Sequence, residues 1–177
     1  MSSAPLVVDL SALWAGPLCS HLLQQCGFRV IKVESIQRPD GAREGSPMHF
    51  NALHKAKELR RFDFADANEL QTLGELLSSA DVVVEGSRPR ALRALGLDRE
   101  SLQNSTRIAA PSQLWLSLTA YGRQMPHGNW VGFGDDVAIA AGACALTARQ
   151  QPGFIADAIA DPLAGLMGAL IILHLRQ

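Results

Sequence analysis

Two hydrophobic rhythms succeed each other at the start of the chain. Leu6, Val7, Val8 and Leu10 form a short apolar run, the length of a buried strand and too brief for a helix. After the segment Ser11–Gly16, apolar residues recur at Leu18, Cys19, Leu22, Leu23 and Cys26, with His21, Gln24 and Gln25 between them. That spacing makes one apolar face of a helix. Pro17 suits its first position, because the N–H that proline lacks would be unpaired there anyway. Gly27 suits the residue just past its last turn. Arg29–Val33 then reads as a second strand. A strand, a helix and a strand in so short a stretch make a βαβ unit, which requires parallel strands.

The rest of the chain repeats the theme. Ser35–Met48 is rich in Pro, Gly and charge, has no hydrophobic period and reads as a surface loop. Residues 50–64 lead into a short strand. Leu70, Leu73, Leu76 and Leu77 mark an amphipathic helix over 66–79, and Ala80–Glu85 is a buried strand. Leu114–Tyr121 is a further strand. The run Val131–Asp136 enters a helix, VAIAAGACAL, capped by Asp135 or Asp136. Asp161 and Pro162 open a last, almost continuously apolar helix, where Asp before Pro makes a good N-cap. The fold class expected is α/β: a Rossmann-like parallel sheet built from βαβ units, with helices on both faces, in a single domain over 1–177.

Composition narrows the function. At 177 residues and 47% hydrophobic content the chain can bury a substantial core. A net charge of −1 leaves no electrostatic footprint for nucleic acid or an anionic membrane. The three cysteines lack CxxC spacing, which argues against a disulfide scaffold or a zinc site, and Cys19 and Cys26 share one helix face as structural thiols. The five histidines show no paired metal spacing. MSSAPL lacks the pattern of a signal peptide, and Leu163–Leu175 is shorter than the ~20 residues that span a bilayer. A cytoplasmic protein without metal or redox cofactor is expected. The turn after the first strand carries only Gly16, so the dinucleotide fingerprint is missing. GxSxG, P-loop and HExxH motifs are absent too.

Three motifs in order are more specific. DLSALWAGP, followed by a helix and VIKVES, comes first; ADVVVE, with a proline turn and a short helix ending in LGL, comes second; ADPLAGLMGAL comes third. Together they resemble the family III CoA-transferases over essentially the whole chain. The resemblance implies coenzyme A as a substrate, with acyl-CoA and a carboxylic acid as partners. It implies that the first loop (Ala12, Trp14, Ala15), the segment after the second strand (Ser35, Arg38), the basic stretch with Lys57, and the turn Gly86, Arg88 and Arg90 border CoA. Arg38 and Arg43, and the cluster Lys55, Lys57, Arg60 and Arg61, have the simpler alternative of solvated surface charge. Three departures from the family pattern stand out: Glu58 in place of a basic residue, Gly86-Ser87 in place of an asparagine-aromatic pair, and Arg90 in place of a glycine. An arginine at a helix start opposes the dipole, so Arg90 calls for a compensating anion, a bound phosphate or a carboxylate.

The resemblance also implies that Asp161, rather than Asp157, is a catalytic nucleophile, a role compatible with capping. It would attack the thioester to form a mixed anhydride and then an aspartyl-CoA thioester, kept ionised by the helix start. Two alternatives stay open: a 2-methylacyl-CoA racemase of the same family, and a non-catalytic CoA-binding or assembly subunit. Asp135, where the racemase branch has a histidine, counts against the former. Relatives are longer, so the second domain and C-terminal return are expected to be absent here. The apolar last helix is expected to need cover from a homodimer partner or complementary polypeptide.

Overall fold

Parallel strands covered on both faces must be apolar on both, and valine-rich runs meet that demand. The computed structural model describes residues 4–104, 112–143 and 153–176. Its strands are β1 (Leu6–Asp9), β2 (Arg29–Ser35), β3 (Glu58–Phe62), β4 (Val82–Glu85) and β5 (Leu114–Ser117). They form one all-parallel sheet in the order β3-β2-β1-β4-β5. Val8 of β1 is in register with Ile31 on one side and Val83 on the other. The expected α/β class is the observed one.

The helices are α1 (Ala15–Gln25), α2 (Ala42–Gly45), α3 (Pro47–His54), α4 (Ala67–Ser79), α5 (Pro89–Ala94), α6 (Arg99–Asn104), α7 (Gly134–Ala140) and α8 (Ala160–Leu175). Alternate strand residues point to opposite faces, and the core divides accordingly. Val8, Ile31, Val33 and Val83 pack with Leu73 and Leu77 of α4, Leu92 of α5 and Leu102 of α6. Val7, Val30, Val82 and Val84 pack on the other face with Cys19 and Leu23 of α1 and Ala169 and Ile172 of α8. Each such valine, leucine or isoleucine, fully buried, contributes roughly 1.5–3 kcal/mol of transfer free energy.

Several expectations change. α1 starts at Ala15, two residues before Pro17, whose missing N–H still falls in the free first turn. The surface loop expected over 35–48 holds α2 and the start of α3; Phe50, Leu53 and His54 are buried on one side of α3. β5 stops at Ser117, because the chain turns at Thr119, whose Oγ1 accepts from the Gly122 N–H at 3.1 Å. α7 begins at Gly134, with Asp136 accepting from the Phe133 N–H at 3.2 Å. Residues 144–146 of the helix expected there lie outside the described residues. Asp161 is not the cap of α8 but sits in its first turn, with Ile159 at the N-cap.

α1 and α8 lie side by side on one face, and two glycines set their distance. A Cβ on Gly165 would lie 2.6 Å from the Ala15 carbonyl oxygen, and one on Gly168 would lie 2.8 Å from Leu116 Cδ2 and 3.3 Å from Cys19 Sγ. The outer side of α8 is bare: Leu163, Leu166, Met167, Leu170, Ile171 and Leu175 are each 45–61% exposed. No helix of the described residues is long and apolar enough to cross a membrane.

The close approach predicts a stability effect. Gly165→Ala should destabilise the chain by about 1–3 kcal/mol through overpacking. Gly45→Ala, whose Cβ would meet nothing within 4 Å, serves as the control. Thermal unfolding of the pair checks this, and equal midpoints would refute it.

Candidate active site

In an open parallel sheet, ligands bind beyond the carboxyl ends of the strands where the strand order reverses. Here that point lies between β1 and β4, the neighbours from which the chain departs toward opposite edges. The loop after β1 and the turn after β4 therefore meet at one crevice. Ser11 lies under both: a Cβ on Gly16 would collide with its side chain, and one on Gly86 would lie 3.7 Å from its Cβ. Two expected CoA-bordering segments, Ala12–Ala15 and Gly86–Arg90, are thus brought together. Trp14, half-buried, meets His49 edge-on at 5.1 Å.

Beneath the crevice lies a buried charge network. Asp9 ends β1 on the α1 side; it accepts from the Ser11 N–H at 2.9 Å and from the hydroxyls of Ser11 and Ser20. Lys57 Nζ, 3.3 Å from Asp9, also donates to the Pro17 carbonyl at 2.9 Å and to Ser20 Oγ at 2.7 Å. Lys32 donates to the Ser11 carbonyl and lies 3.7 Å from Asp40. Burial by itself would raise the Asp9 pKa, but Lys32 and Lys57, aided by both hydroxyls, hold it at about 2. Burial pulls Lys57 down, and Asp9 opposes the pull. His54 is pushed down to about 3 by burial and then by the two lysines, so its imidazole is neutral.

Lys57 therefore departs from its expected place at a CoA phosphate. Its side chain has no exposure and all three of its donors have oxygen partners; it fastens α1 to β1. Arg43 is taken as well, by Glu34 at 2.9 Å, with its guanidinium over the Phe50 ring at 4.3 Å. Ser35 closes β2 and lines a cavity of about 280 Å³ with Ile36, Pro39, Asp40, Arg43 and Arg61. Arg38, Arg88 and Arg90 are exposed and have no ion-pair partner among the described residues. The turn bearing Arg88 is shaped by Glu85, fully buried, which accepts from the Ser87 N–H at 3.0 Å and pairs with Arg123 at 2.5 Å.

Asp161 lies one turn before Gly165, about 6 Å along the axis, and so beside the start of α1 at the carboxyl edge of the sheet. It is half-buried, and its carboxylate has no hydrogen-bond partner among the described residues. Burial, and then the charge of Asp135, raise its pKa. That direction is opposite to the one expected from the helix start. Asp135 also accepts from the Ala158 N–H at 2.8 Å. Ala158 has φ 45°, and its carbonyl accepts from the Asp161 N–H at 2.9 Å. A Cβ on Gly134 would strike the Ala158 backbone, so α7 and the segment before α8 are fitted to each other. Asp135 thus both shapes the entry to α8 and charges its surroundings.

Sequence reasoning missed Asp9, Lys32, Asp40, Glu85 and Arg123 as parts of the site. A signal existed for Asp9, Lys32 and Glu85, as charged residues in or directly after apolar runs, which must find partners if buried. No group of three His, Cys, Asp or Glu side chains that could hold a metal ion occurs among the described residues.

Comparison with known proteins gives a consistent result. The profile of CoA-transferase family III matches residues 5–175. A succinyl-CoA–D-citramalate CoA-transferase of Chloroflexus aurantiacus is 30% identical over 97% of this chain and 44% of its own length. A succinate–glutarate CoA-transferase of Agrobacterium fabrum is 27% identical, covering 90% of this chain and 43% of itself. Among solved structures, a CaiB/BaiF family protein from Brucella suis superposes with a TM-score of 0.86 at 28% identity, over 97% of this chain and 48% of that one. A hypothetical protein from Mycobacterium tuberculosis gives 0.85 at 30%, over 96% and 48%. The chain spans less than half the length of these relatives.

Two predictions follow from the charges. Asp9 titrates lower folded (about 2) than at its ordinary 3.8, so its contribution to stability is present above pH 3.8 and is lost as pH falls through about 2. Lys57→Met should cost about 3–5 kcal/mol by stranding Asp9, and because Lys57 is one of the charges that hold the Asp9 pKa down, the share of the acid loss that comes from Asp9 should shrink. Asp9→Asn combined with Lys57→Met should cost less than the lysine change by itself; urea unfolding across the acid range tests both. Asp135→Asn keeps an acceptor for Ala158 but removes a charge, so the Asp161 pKa should fall toward its ordinary 3.8. An unmoved Asp161 titration in carboxyl NMR would contradict that.

Proposed function

The chain belongs to CoA-transferase family III, and on that premise we propose that it moves CoA between an acyl-CoA thioester and a free carboxylate, with Asp161 as nucleophile. The observation that carries this reading is the placement of Asp161: half-buried, without a hydrogen-bond partner among the described residues, and beside the start of α1 at the sheet's carboxyl edge. A carboxylate so held is desolvated enough to attack and still reachable by a thioester in the crevice.

A carboxylate oxygen of Asp161 adds to the thioester carbonyl, and the C–S bond breaks to release CoA thiolate and leave an acyl-aspartyl anhydride. The thiolate attacks the aspartyl carbonyl, expelling the donor acid as its carboxylate and leaving aspartyl-CoA. The acceptor carboxylate repeats the sequence, and the thiolate finally attacks the acceptor's carbonyl, freeing Asp161. No net proton is consumed. Free N–H groups of the first turn of α1 suit the developing oxyanions.

CoA is bordered, in this reading, by Ala12, Trp14, Ala15, Ser35 and Gly86, with Arg38, Arg88 and Arg90 available to its phosphates. Succinyl-CoA is the first donor to test, since the names of the two relatives above carry succinyl-CoA and succinate. The bare side of α8 exceeds what isolated apolar residues on a surface present; a second copy of the chain or a complementary polypeptide would cover it.

Hydroxylamine trapping after incubation with acyl-CoA should mark Asp161 and no other carboxylate. Asp161→Asn should lower transfer by at least about three orders of magnitude while CoA still binds. Labelling at Asp157, or turnover by Asp161→Ala, would refute the assignment. Exchange of an α-proton in deuterated water without transfer would favour a racemase instead.

A further inference from the structure

Leu13, in the loop after β1, has φ 67°, a left-handed conformation in which a leucine side chain crowds its own backbone. Its N–H donates to both oxygens of Asp40, at 3.1 and 3.2 Å. Asp40 is 4% exposed and is fixed in turn: it accepts from the Ala42 N–H at 3.0 Å and lies 3.7 Å from Lys32 Nζ. Lys32 also holds the Ser11 carbonyl, and Asp9 holds the Ser11 N–H. Buried carboxylates therefore take the N–H groups of residues 11 and 13. Those of Ala12 and Trp14 between and beyond them have no protein partner among the described residues.

We propose that Asp40 is a positioning residue for the CoA site: by holding Leu13 in the left-handed conformation it presents the Ala12 and Trp14 N–H groups to oxygen acceptors of the CoA ligand. The inference rests on the CoA reading above. Without Asp40 the leucine relaxes toward an ordinary conformation, and the loop between Ser11 and Ala15 is reset.

Four variants of the polypeptide test this: Asp40→Ala, Asp40→Asn, Leu13→Gly and Leu13→Gly with Asp40→Ala. Each is followed by thermal unfolding, calorimetric titration with CoA, and amide hydrogen exchange at Leu13. Asp40→Ala should weaken CoA binding by about tenfold or more, the worth of a hydrogen bond to a buried charge. Asp40→Asn keeps the acceptor and loses the charge facing Lys32, so it should unfold at lower temperature yet bind CoA within about threefold of the parent. Glycine adopts the left-handed conformation without crowding; the double variant should therefore bind CoA more tightly than Asp40→Ala while unfolding no later. A role in stability only would make binding follow unfolding temperature across the set, and that result overturns the proposal, as does a double variant no better than Asp40→Ala. Failure of the parent to bind CoA would count against the CoA reading and equally against the presentation of N–H groups to it. The hold on Leu13 is then judged by exchange, where unchanged protection of its amide in Asp40→Ala refutes it.

Discussion

A lysine ammonium enclosed against an aspartate at the end of β1 is the constraint on which the other parts of the site depend. Burying either charge unpaired would be costly, and the pair is worth little as net stability once desolvation is counted. Its consequence is positional. Lys57 reaches Asp9, Ser20 and the Pro17 carbonyl at once, which fixes β1, the first turns of α1 and the approach to β3 relative to one another. Lys32 and Asp40 continue the same network outward to the Ser11 carbonyl and the Leu13 N–H. The loop that borders the crevice is therefore set from below by charges rather than by apolar packing.

The same solution recurs along the sheet edge. β1 carries Asp9 and takes Lys57; Glu34 in β2 takes Arg43, with Arg61 at 3.8 Å; Glu85 at the end of β4 takes Arg123. In each case a buried carboxylate recruits a basic side chain from a segment that follows, and so ties that segment to the sheet. The basic residues are thereby divided. Lys57 and Arg43 are committed internally, and Arg61 leans on Glu34, whereas Arg38, Arg88 and Arg90 have no ion-pair partner among the described residues. Only a group of the second kind can add a strong charge-assisted bond to a phosphate without first breaking one.

This division explains what the sequence could and could not tell. The strands and α1 are legible because apolar runs and a helical period are local properties, and they carry the α/β class. The strand order is not local, so the crevice between β1 and β4 had to come from the structure. α3 was hidden by the Pro- and Gly-rich lead before it, although Phe50, Leu53 and His54 fall at helical spacing. Lys57 looked like one of a surface cluster with Lys55, Arg60 and Arg61; which of these turns inward depends on a partner 48 residues away. The motif that marks Asp161 as a candidate is local and so legible, but the surroundings of that residue were not, since Asp135 approaches it from another helix.

The surroundings of Asp161 balance two opposing effects. A helix start favours the ionised carboxylate by about 0.3–1 kcal/mol at an exposed position. Half-burial and then the Asp135 charge act the other way, each raising the pKa. For the proposed nucleophile that direction is useful. Burial and the Asp135 charge raise the basicity of Asp161, and a carboxylate of higher basicity is a better nucleophile. Asp135 cannot be read as mere repulsion either, because the same carboxylate holds the Ala158 N–H and so the strained residue that leads into α8. The entry geometry of α8 and the electrostatics of its first turn are set by one side chain.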